Sequence, residues 1–386
     1  MKKLVIDLGN SETRITVIAG KSEYTGAPLQ ETVRVDNRYG LIQPAKVSAY
    51  LNEGVYSSKD SHIFEINNEY YCTGNICLSE FSSTCTRPTA LDKKYTSISS
   101  KLAIINAFIT GYEIASKLTK CDISELDEDW EVVILLPPMD IEVGASKLAE
   151  MVKNIKEVNS LMPKLSKPVN VTGVNVVPEA LAALIGTVFS APKTTRMGYE
   201  YLLDGNTNTL ICDIGAGTTD FIMSRGTKIV NTSRFTREIG GNNVHQRVRM
   251  LLKERGIQLS DKDVRNGTET GYITVGNSTM DITKFIAVAK ADVAKQLIDA
   301  LLEFFENAMI PVQSINNILV TGGGAEKSEN EKISPLSDYV ISFLADKSPN
   351  INIVEQPIFM ENGDYTEHPR MLNILGAGII AGQSLV

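Results

Sequence analysis

The sequence of 386 residues has no unbroken apolar run of the roughly 20 residues that a bilayer-spanning helix takes. Histidine is scarce. His62, His245 and His368 are scattered and make no metal-binding motif. There is no GxSxG anywhere, so the nucleophile elbow of a serine hydrolase is missing. An excess of positive charge is missing too: the formal net charge is −8, which argues against direct nonspecific DNA binding. A local basic patch, or a DNA-bound adaptor, stays open. The five cysteines are odd in number, and Cys72, Cys77 and Cys85 lack the paired spacing of a zinc site. They are expected to be reduced, structural thiols of a cytoplasmic protein. The opening "MKKLVIDLGN" puts Asp7 where a secretory leader needs an apolar core, so no leader is expected.

Two common nucleotide motifs also fail. "GKS" at Gly20, Lys21 and Ser22 would belong to a P-loop only with glycine at position 15, which is Ile15. "GAGTTD" begins like a dinucleotide fingerprint, but its third glycine is Asp220 and a strand follows.

What remains is an ordinary globular composition, 43% hydrophobic and 22% charged, in a chain long enough for two or more domains of about 150 residues each. Residues 3–8 and "TRITVIAG" read as a hairpin. Residues 36–96 are polar, with strand-like pieces such as "HIFEINNEYYCTG", and read as a small inserted subdomain. Helices are expected over "SISSKLAIINAFITGYEIASKL", "VGASKLAEMVKNIKEV" and "PEALAALIGTVF", the last with Pro178 in its first turn. "WEVVILLPP" and "VNVTGVNVVP" read as strands. In the second half "TLICDIGAGTTDFIMSRGTKIVNTSRF" reads as a three-strand meander. "IGGNNVHQRVRMLLKERG" is a helix closed by Gly256, and residues 257–282 are polar and irregular. "TKFIAVAKADVAKQLIDALLEFFENAM" is a long helix and "INNILVTGGGA" a strand ending in glycines. A strand near "INIVEQP" and a small-residue helix over "MLNILGAGIIAGQSL" close the chain.

An internal repeat is visible at an offset of 213 − 7 = 206. Asp7 falls on Asp213, Leu8 on Ile214, Gly9 on Gly215, Thr13 on Thr219, Ile15 on Phe221 and Val17 on Met223. Leu4 and Val5 fall on Leu210 and Ile211. Two acid-headed hairpins, each opening a strand–helix lobe, point to duplication of one α/β unit.

The turns have a definable chemistry. Glycine-rich backbone exposes N–H groups that can converge on phosphate oxygens. Gly9, Asn10 and Ser11 form the first turn; Gly215, Ala216, Gly217, Thr218 and Thr219 form the second, with Ser11, Thr218 and Thr219 as hydroxyl donors. Asp7 and Asp213 make sense beside a phosphate if Mg²⁺ lies between, held through water. Gly322, Gly323 and Gly324 let backbone approach a flat ligand closely. Gly241, Asn242 and Asn243 form a similar helix entry, with Asn242 and Asn243 as candidate partners for ligand hydroxyls and Gly241 and Asn242 in the binding site. A single such hairpin is as well explained as a tight polar turn; the pair, in register, is not.

Five segments together resemble the nucleotide site of the superfamily of actin, sugar kinases and DnaK-type chaperones. They are "DLGNSET", "VPEALAAL", "DIGAGTTD", "VTGGGA" and "NILGAG", in that superfamily's order. The resemblance implies an α/β actin-like fold: two duplicated, ribonuclease H-like lobes, each a mixed sheet flanked by helices. ATP and Mg²⁺ would sit in the cleft. Lobe I would comprise 1–177 and 373–386, with the insert at about 36–96; lobe II would comprise 178–372, with an insert at about 235–313. It further implies that Glu179, after the connecting proline, orients the attacking water, with Asp213 as its catalytic companion. "EINNEYYCTGN", "KKYTSISSKLAIINAFITGY" and "VVILLPP" are most similar to the ParM type of bacterial actin. That type implies ATP-driven filaments of the chain itself, which move plasmid DNA through a small DNA-binding adaptor on a centromere-like site. GTP serves some filaments of this kind. No basic amphipathic end suggests membrane attachment. A phage or archaeal actin homologue, a monomeric small-molecule kinase and a non-polymerising regulatory ATPase are the alternatives.

Overall fold

The apolar run at the N-terminus becomes a central strand because every residue of "KKLVIDL" is buried, lysines included. Lys3 is tolerated there since its Nζ donates to Ala381 O at 2.7 Å and pairs with Glu131 at 2.9 Å. In the computed structural model the described residues are 1–386 except 22–27, 53–60, 75, 80, 82–83, 90–91, 163, 192, 329, 362–363, 368 and 384–386. Ser22, His368 and the last three residues, on which some of the sequence readings fell, therefore lie outside them.

The chain divides into two compact units. The first comprises Met1–Leu136, Asp140–Ala182 and Ala377–Val386; the second comprises Pro137–Met139 and Ala183–Gly376. In chain order the first unit contains β1 (Lys2–Leu8), β2 (Glu12–Lys21), β3 (Pro28–Asp36), β4 (Tyr39–Ile42), α1 (Pro44–Asn52), β5 (Ser61–Ile66), β6 (Glu69–Gly74), α2 (Ile76–Ser79) and β7 (Cys85–Thr86). It continues with α3 (Ile98–Thr119), β8 (Asp129–Leu136), α4 (Ile141–Lys153), β9 (Glu157–Met162), β10 (Lys164–Pro168) and β11 (Asn170–Pro178), and then α5 (Glu179–Val188) begins. One sheet, of five long strands, has the order β11-β8-β1-β2-β3, and one of six shorter strands, smaller in residues, the order β10-β9-β5-β6-β4-β7. α3, capped by Ser97, lies on the larger sheet; Phe108 and Tyr112 meet Trp130 edge-on.

The second unit follows with β12 (Phe189–Ala191), β13 (Thr194–Thr195), β14 (Asn208–Ile214), β15 (Thr219–Arg225), β16 (Lys228–Arg237), α6 (Gly241–Glu254), α7 (Asp261–Thr270), β17 (Tyr272–Val275), β18 (Ser278–Asp281) and α8 (Thr283–Ala308). Then come β19 (Asn317–Thr321), α9 (Leu336–Lys347), β20 (Asn352–Ile353), β21 (Ile358–Glu361), β22 (Asp364–Glu367) and α10 (Leu372–Gln383). Its main sheet has the order β16-β15-β14-β19-β20. An antiparallel meander joined to two parallel strands is thus built twice. The offset of 206 survives in the pairing register: Asp7 faces Arg14 as Asp213 faces Asp220.

Three readings need correction. Residues 257–282 are not irregular. They form α7, capped by Ser260 and closed by Gly271 at φ +87°, and then the ribbon β17–β18. The helix expected over 143–158 stops at Lys153, and an antiparallel pair, β9–β10, follows and joins the smaller sheet through β5. Pro178 ends β11, and Glu179 is the first helical residue. Among the described residues no helix is long and apolar enough to cross a membrane.

Candidate functional site

In the first unit, Asp7 sits at the end of β1 and is 3% exposed. Its cross-strand partner Arg14 donates from Nη1 to Asp7 Oδ2 at 2.7 Å and from Nη2 to Glu12 Oε1 at 2.9 Å. Burial alone would lower the Arg14 pKa, but the two carboxylates outweigh it and raise it. The turn between them needs glycine, because a Cβ on Gly9 would meet Glu12 O at 2.5 Å. Asn37 braces it from the loop that follows β3. Its Nδ2 donates to Gly9 O at 2.5 Å, its N–H to Ser11 O at 3.1 Å, and its Oδ1 accepts from Thr13 Oγ1 at 3.0 Å. Gly9, Asn10, Asn37, Lys94, Ser99 and Ser100 line one small cleft. There Lys94 Nζ donates to Glu179 Oε1 at 2.5 Å.

In the second unit, Asp213 occupies the matching end of β14 and is 6% exposed. Gly215 N donates to Thr218 O at 2.8 Å and closes the turn. α6 starts on top of it: Gly241 N donates to Gly215 O at 3.0 Å and Asn242 N to Ala216 O at 2.7 Å. A side chain on Gly240 would put its Cβ 2.5 Å from Gly215 O, so the approach requires glycine. Gly322, at φ +82°, packs so closely that a Cβ would collide with Asp213 Oδ1. Gly324 would likewise collide with Ile214, while Gly323 faces Arg370. From the start of α10, Asn373 Nδ2 donates to Asp213 Oδ2 at 2.8 Å in a buried contact. The segments "DIGAGTTD", "EIGGNN", "VTGGGA" and "NILGAG" are therefore one cluster in space.

Two expected roles change. Thr219 is fully buried and donates its hydroxyl to Ile239 O at 2.7 Å, so it braces the turn and does not point a hydroxyl out of it. Asn243 caps Gly240 N at 2.8 Å and is committed to the helix start. Gly217 and Thr218 stay half-buried at the turn.

Four residues were missed. Arg14 was invisible as a partner of Asp7 until the strand register was known, though its offset match to Asp220 was countable. Lys94 lay inside a quoted segment, unassigned. Asn37 and Arg265 gave no signal; Arg265 Nη1 donates to Asn242 Oδ1 at 2.9 Å and so stands beside the α6 start. Among the described residues no three His, Cys, Asp or Glu side chains gather as a metal cage. The carboxylates present fit a cation that keeps most of its water, as Mg²⁺ does.

With this geometry in hand, comparison with solved structures is decisive for the fold. An archaeal actin homologue, Ta0583, superposes with a TM-score of 0.68 over 99% of both chains, at 13% identity. The fold is actin-like. A 15-stranded ParM filament from Clostridium botulinum is similar at a TM-score of 0.66, again over 99% of both chains, at 14% identity. In sequence, the family described as "Archaeal actin homologue MreB-like, C-terminal" matches residues 211–331. The actin-like protein MamK of Paramagnetospirillum magneticum is 23% identical over 234 residues, which cover 54% of this chain and 67% of MamK.

Proposed function

We propose that this chain is an actin-like ATPase that assembles into filaments with ATP and Mg²⁺ and hydrolyses the nucleotide. The observation that carries the reading is the convergence on Asp213 of Gly322 from the glycine loop and Asn373 from the last helix. Residues 160 apart in sequence do not surround one carboxylate with bare backbone without a reason. Glycine there opens backbone to a ligand, and Asn373 fixes the orientation of the carboxylate that would face a hydrated cation.

The electrostatics divide the tasks. Asp7 already has Arg14 as counter-charge, whereas Asp213 faces Asp220 across the ladder. The second carboxylate opposite Asp213 adds to the negative charge that a hydrated cation would neutralise there. Thr218 and the N–H groups of the turn, with Ser11, Asn10 and Gly9 at the other, bind phosphate; Gly241, Asn242 and Gly322–Gly324 take the nucleoside. Bound Mg²⁺ would supply charge neutralisation for phosphoryl transfer. Glu179, paired with Lys94, orients water and takes its proton. Similarity to a second structure of Ta0583, in complex with ADP, at a TM-score of 0.66 over 99% of both chains and 12% identity, supports a nucleotide at this fold. The ParM filament supports head-to-tail self-association, an open heterologous contact. Plasmid segregation through a small DNA-binding adaptor, in the cytoplasm, is the cargo reading that the acidic net charge suits.

The test is light scattering and negative-stain microscopy after adding ATP–Mg²⁺, with phosphate release followed in parallel and GTP as comparison. Filaments with matched phosphate release are expected. Sugar-dependent ADP production without scattering would instead assign the chain to the small-molecule kinases.

A further inference from the structure

Three thiols with no part in nucleotide chemistry meet in the smaller sheet of the first unit. Gly40 on β4 is the register partner of Cys72 on β6 and of Cys85 on β7. Directly opposed residues share a face of a sheet, so the two cysteines flank Gly40 on the same side. Strands on either side of a third lie about 10 Å apart, beyond the roughly 7 Å that a disulfide can span between Cα atoms. The gap is filled from α2. Cys77 Sγ lies 3.0 Å from Cys72 Sγ and beside Cys85. Gly40 keeps the space open, since a Cβ there would meet Cys72 Sγ at 3.3 Å. Cys72 and Cys77 are fully buried and Cys85 is partly exposed, beside Arg38. A row of thiols thus runs from the surface into the core.

We propose that Cys85, Cys77 and Cys72 form a thiol–disulfide exchange site that low-molecular-weight disulfides oxidise. The Cys85 thiolate attacks one sulfur of RS–SR; that S–S bond breaks, and RS⁻ leaves and takes a proton from water. Cys77 attacks Cys85 Sγ in the mixed disulfide, and its proton passes to the expelled sulfur, which leaves as the second RSH. Exchange with Cys72 then moves the bond to Cys72–Cys77 and returns Cys85 as a thiol. In sum, one RSSR is reduced to two RSH while two cysteines lose their hydrogens to one disulfide. Burial raises the pKa of Cys85 and Arg38 opposes it, so exchange begins there and quickens as pH rises.

The site is wired to the first turn. Cys77 and Cys72 donate to Arg38 O and Gly40 O at 3.8 and 3.6 Å, and the neighbouring Asn37 holds Gly9 and Ser11. A disulfide removes both S–H donors from this segment. Only this consequence touches the proposed function; the exchange chemistry stands apart from it.

The full chain, incubated with oxidised glutathione at mildly alkaline pH, is alkylated and its disulfides are mapped by mass spectrometry. Two of the five thiols should escape alkylation, with the bond at Cys72–Cys77 or Cys77–Cys85. Cys77→Ser should abolish it and Cys121→Ser should not; Cys85→Ser should slow it about tenfold or more, as removal of the accessible attacking thiol implies. Full alkylation, a mixed disulfide on Cys121 alone, or an unchanged bond yield in Cys77→Ser overturns the site whether or not the chain makes filaments. Amide hydrogen exchange should change in 8–13 together with 36–42 on oxidation; a change confined to 36–42 overturns the link to the turn.

Discussion

Lys94 and Glu179, 85 residues apart in sequence, form an ion pair at 2.5 Å with side chains only 15% and 9% exposed. The ammonium supplies the opposite charge and a hydrogen bond that a carboxylate enclosed to this degree needs. If Glu179 aligns the attacking water, Glu179→Gln preserves shape and removes the base. Phosphate release should fall about 100-fold or more, within the usual contribution of a general base. ATP-dependent scattering should persist, and filaments should outlive those of the parent. Equal disassembly rates would remove Glu179 from the reaction.

Lys94→Met separates structure from chemistry at the same pair. It leaves a buried carboxylate without its partner, which costs about 3–5 kcal/mol in comparable pairs. Denaturant titration should show that loss, and the double variant Lys94→Met with Glu179→Gln should recover most of it. Additive losses in the double variant would mean the pair contributes nothing jointly.

Asp213 offers a second test, through Asn373. Asp213→Ala should abolish Mg²⁺-dependent nucleotide binding in isothermal titration. Asn373→Asp puts a carboxylate where an amide now donates at 2.8 Å. Like charges in contact raise one pKa, so the variant's nucleotide affinity should become pH-dependent in a range where the parent's is flat. Unaltered binding by Asp213→Ala would take this carboxylate out of the site.

Gly322→Ala is the steric counterpart. At φ +82° an added Cβ is strained by about 1–3 kcal/mol, and here it also strikes Asp213 Oδ1. Nucleotide affinity should drop at least tenfold, while the control Gly205→Ala, with no atom near its Cβ position, should bind as the parent does. Equal affinity in both would show that the loop does not need bare backbone.

The two hairpins were legible because strand burial and glycine turns are local: "LVIDLG" and "LICDIG" each carry an apolar strand, an acid and the turn residue together. The repeat was legible for the same reason, and its offset holds in the strand register. Helix α7 was not legible. "DKDVRNGTET" has a single apolar side chain, Val264, and buries besides it only Gly267 and Thr268, so its inner face is too polar to be read as a core stripe. β9–β10 followed an amphipathic helix with no breaker between, and its reach to β5 is a long-range fact. The partners of Glu179 and Asp213 were hidden because they lie 85 and 160 residues away. Thr219 was misassigned since sequence shows a hydroxyl and not which oxygen it bonds.

Stability against pH should reveal a buried group and a half-buried one that work in opposite senses. His62 is 1% exposed, and neither ring nitrogen finds a hydrogen-bond partner among the described residues. Burial lowers its pKa from 6.5 to about 4. The unfolded chain therefore binds this proton first as pH falls. The contribution is intact above pH 6.5 and is lost between there and about 4, by up to roughly 3 kcal/mol. Glu113 is the reverse: burial raises it from 4.5 to about 7, so its contribution is present below 4.5 and is lost as pH rises to about 7. Between 4.5 and 6.5 the two slopes oppose, and urea titrations of the parent should be nearly flat there. His62→Leu should expose a stability that only declines with rising pH. Glu113→Gln should expose one that only climbs, and should be more stable than the parent above pH 7. A parent-like profile in either variant would show that these side chains do not set the pH dependence.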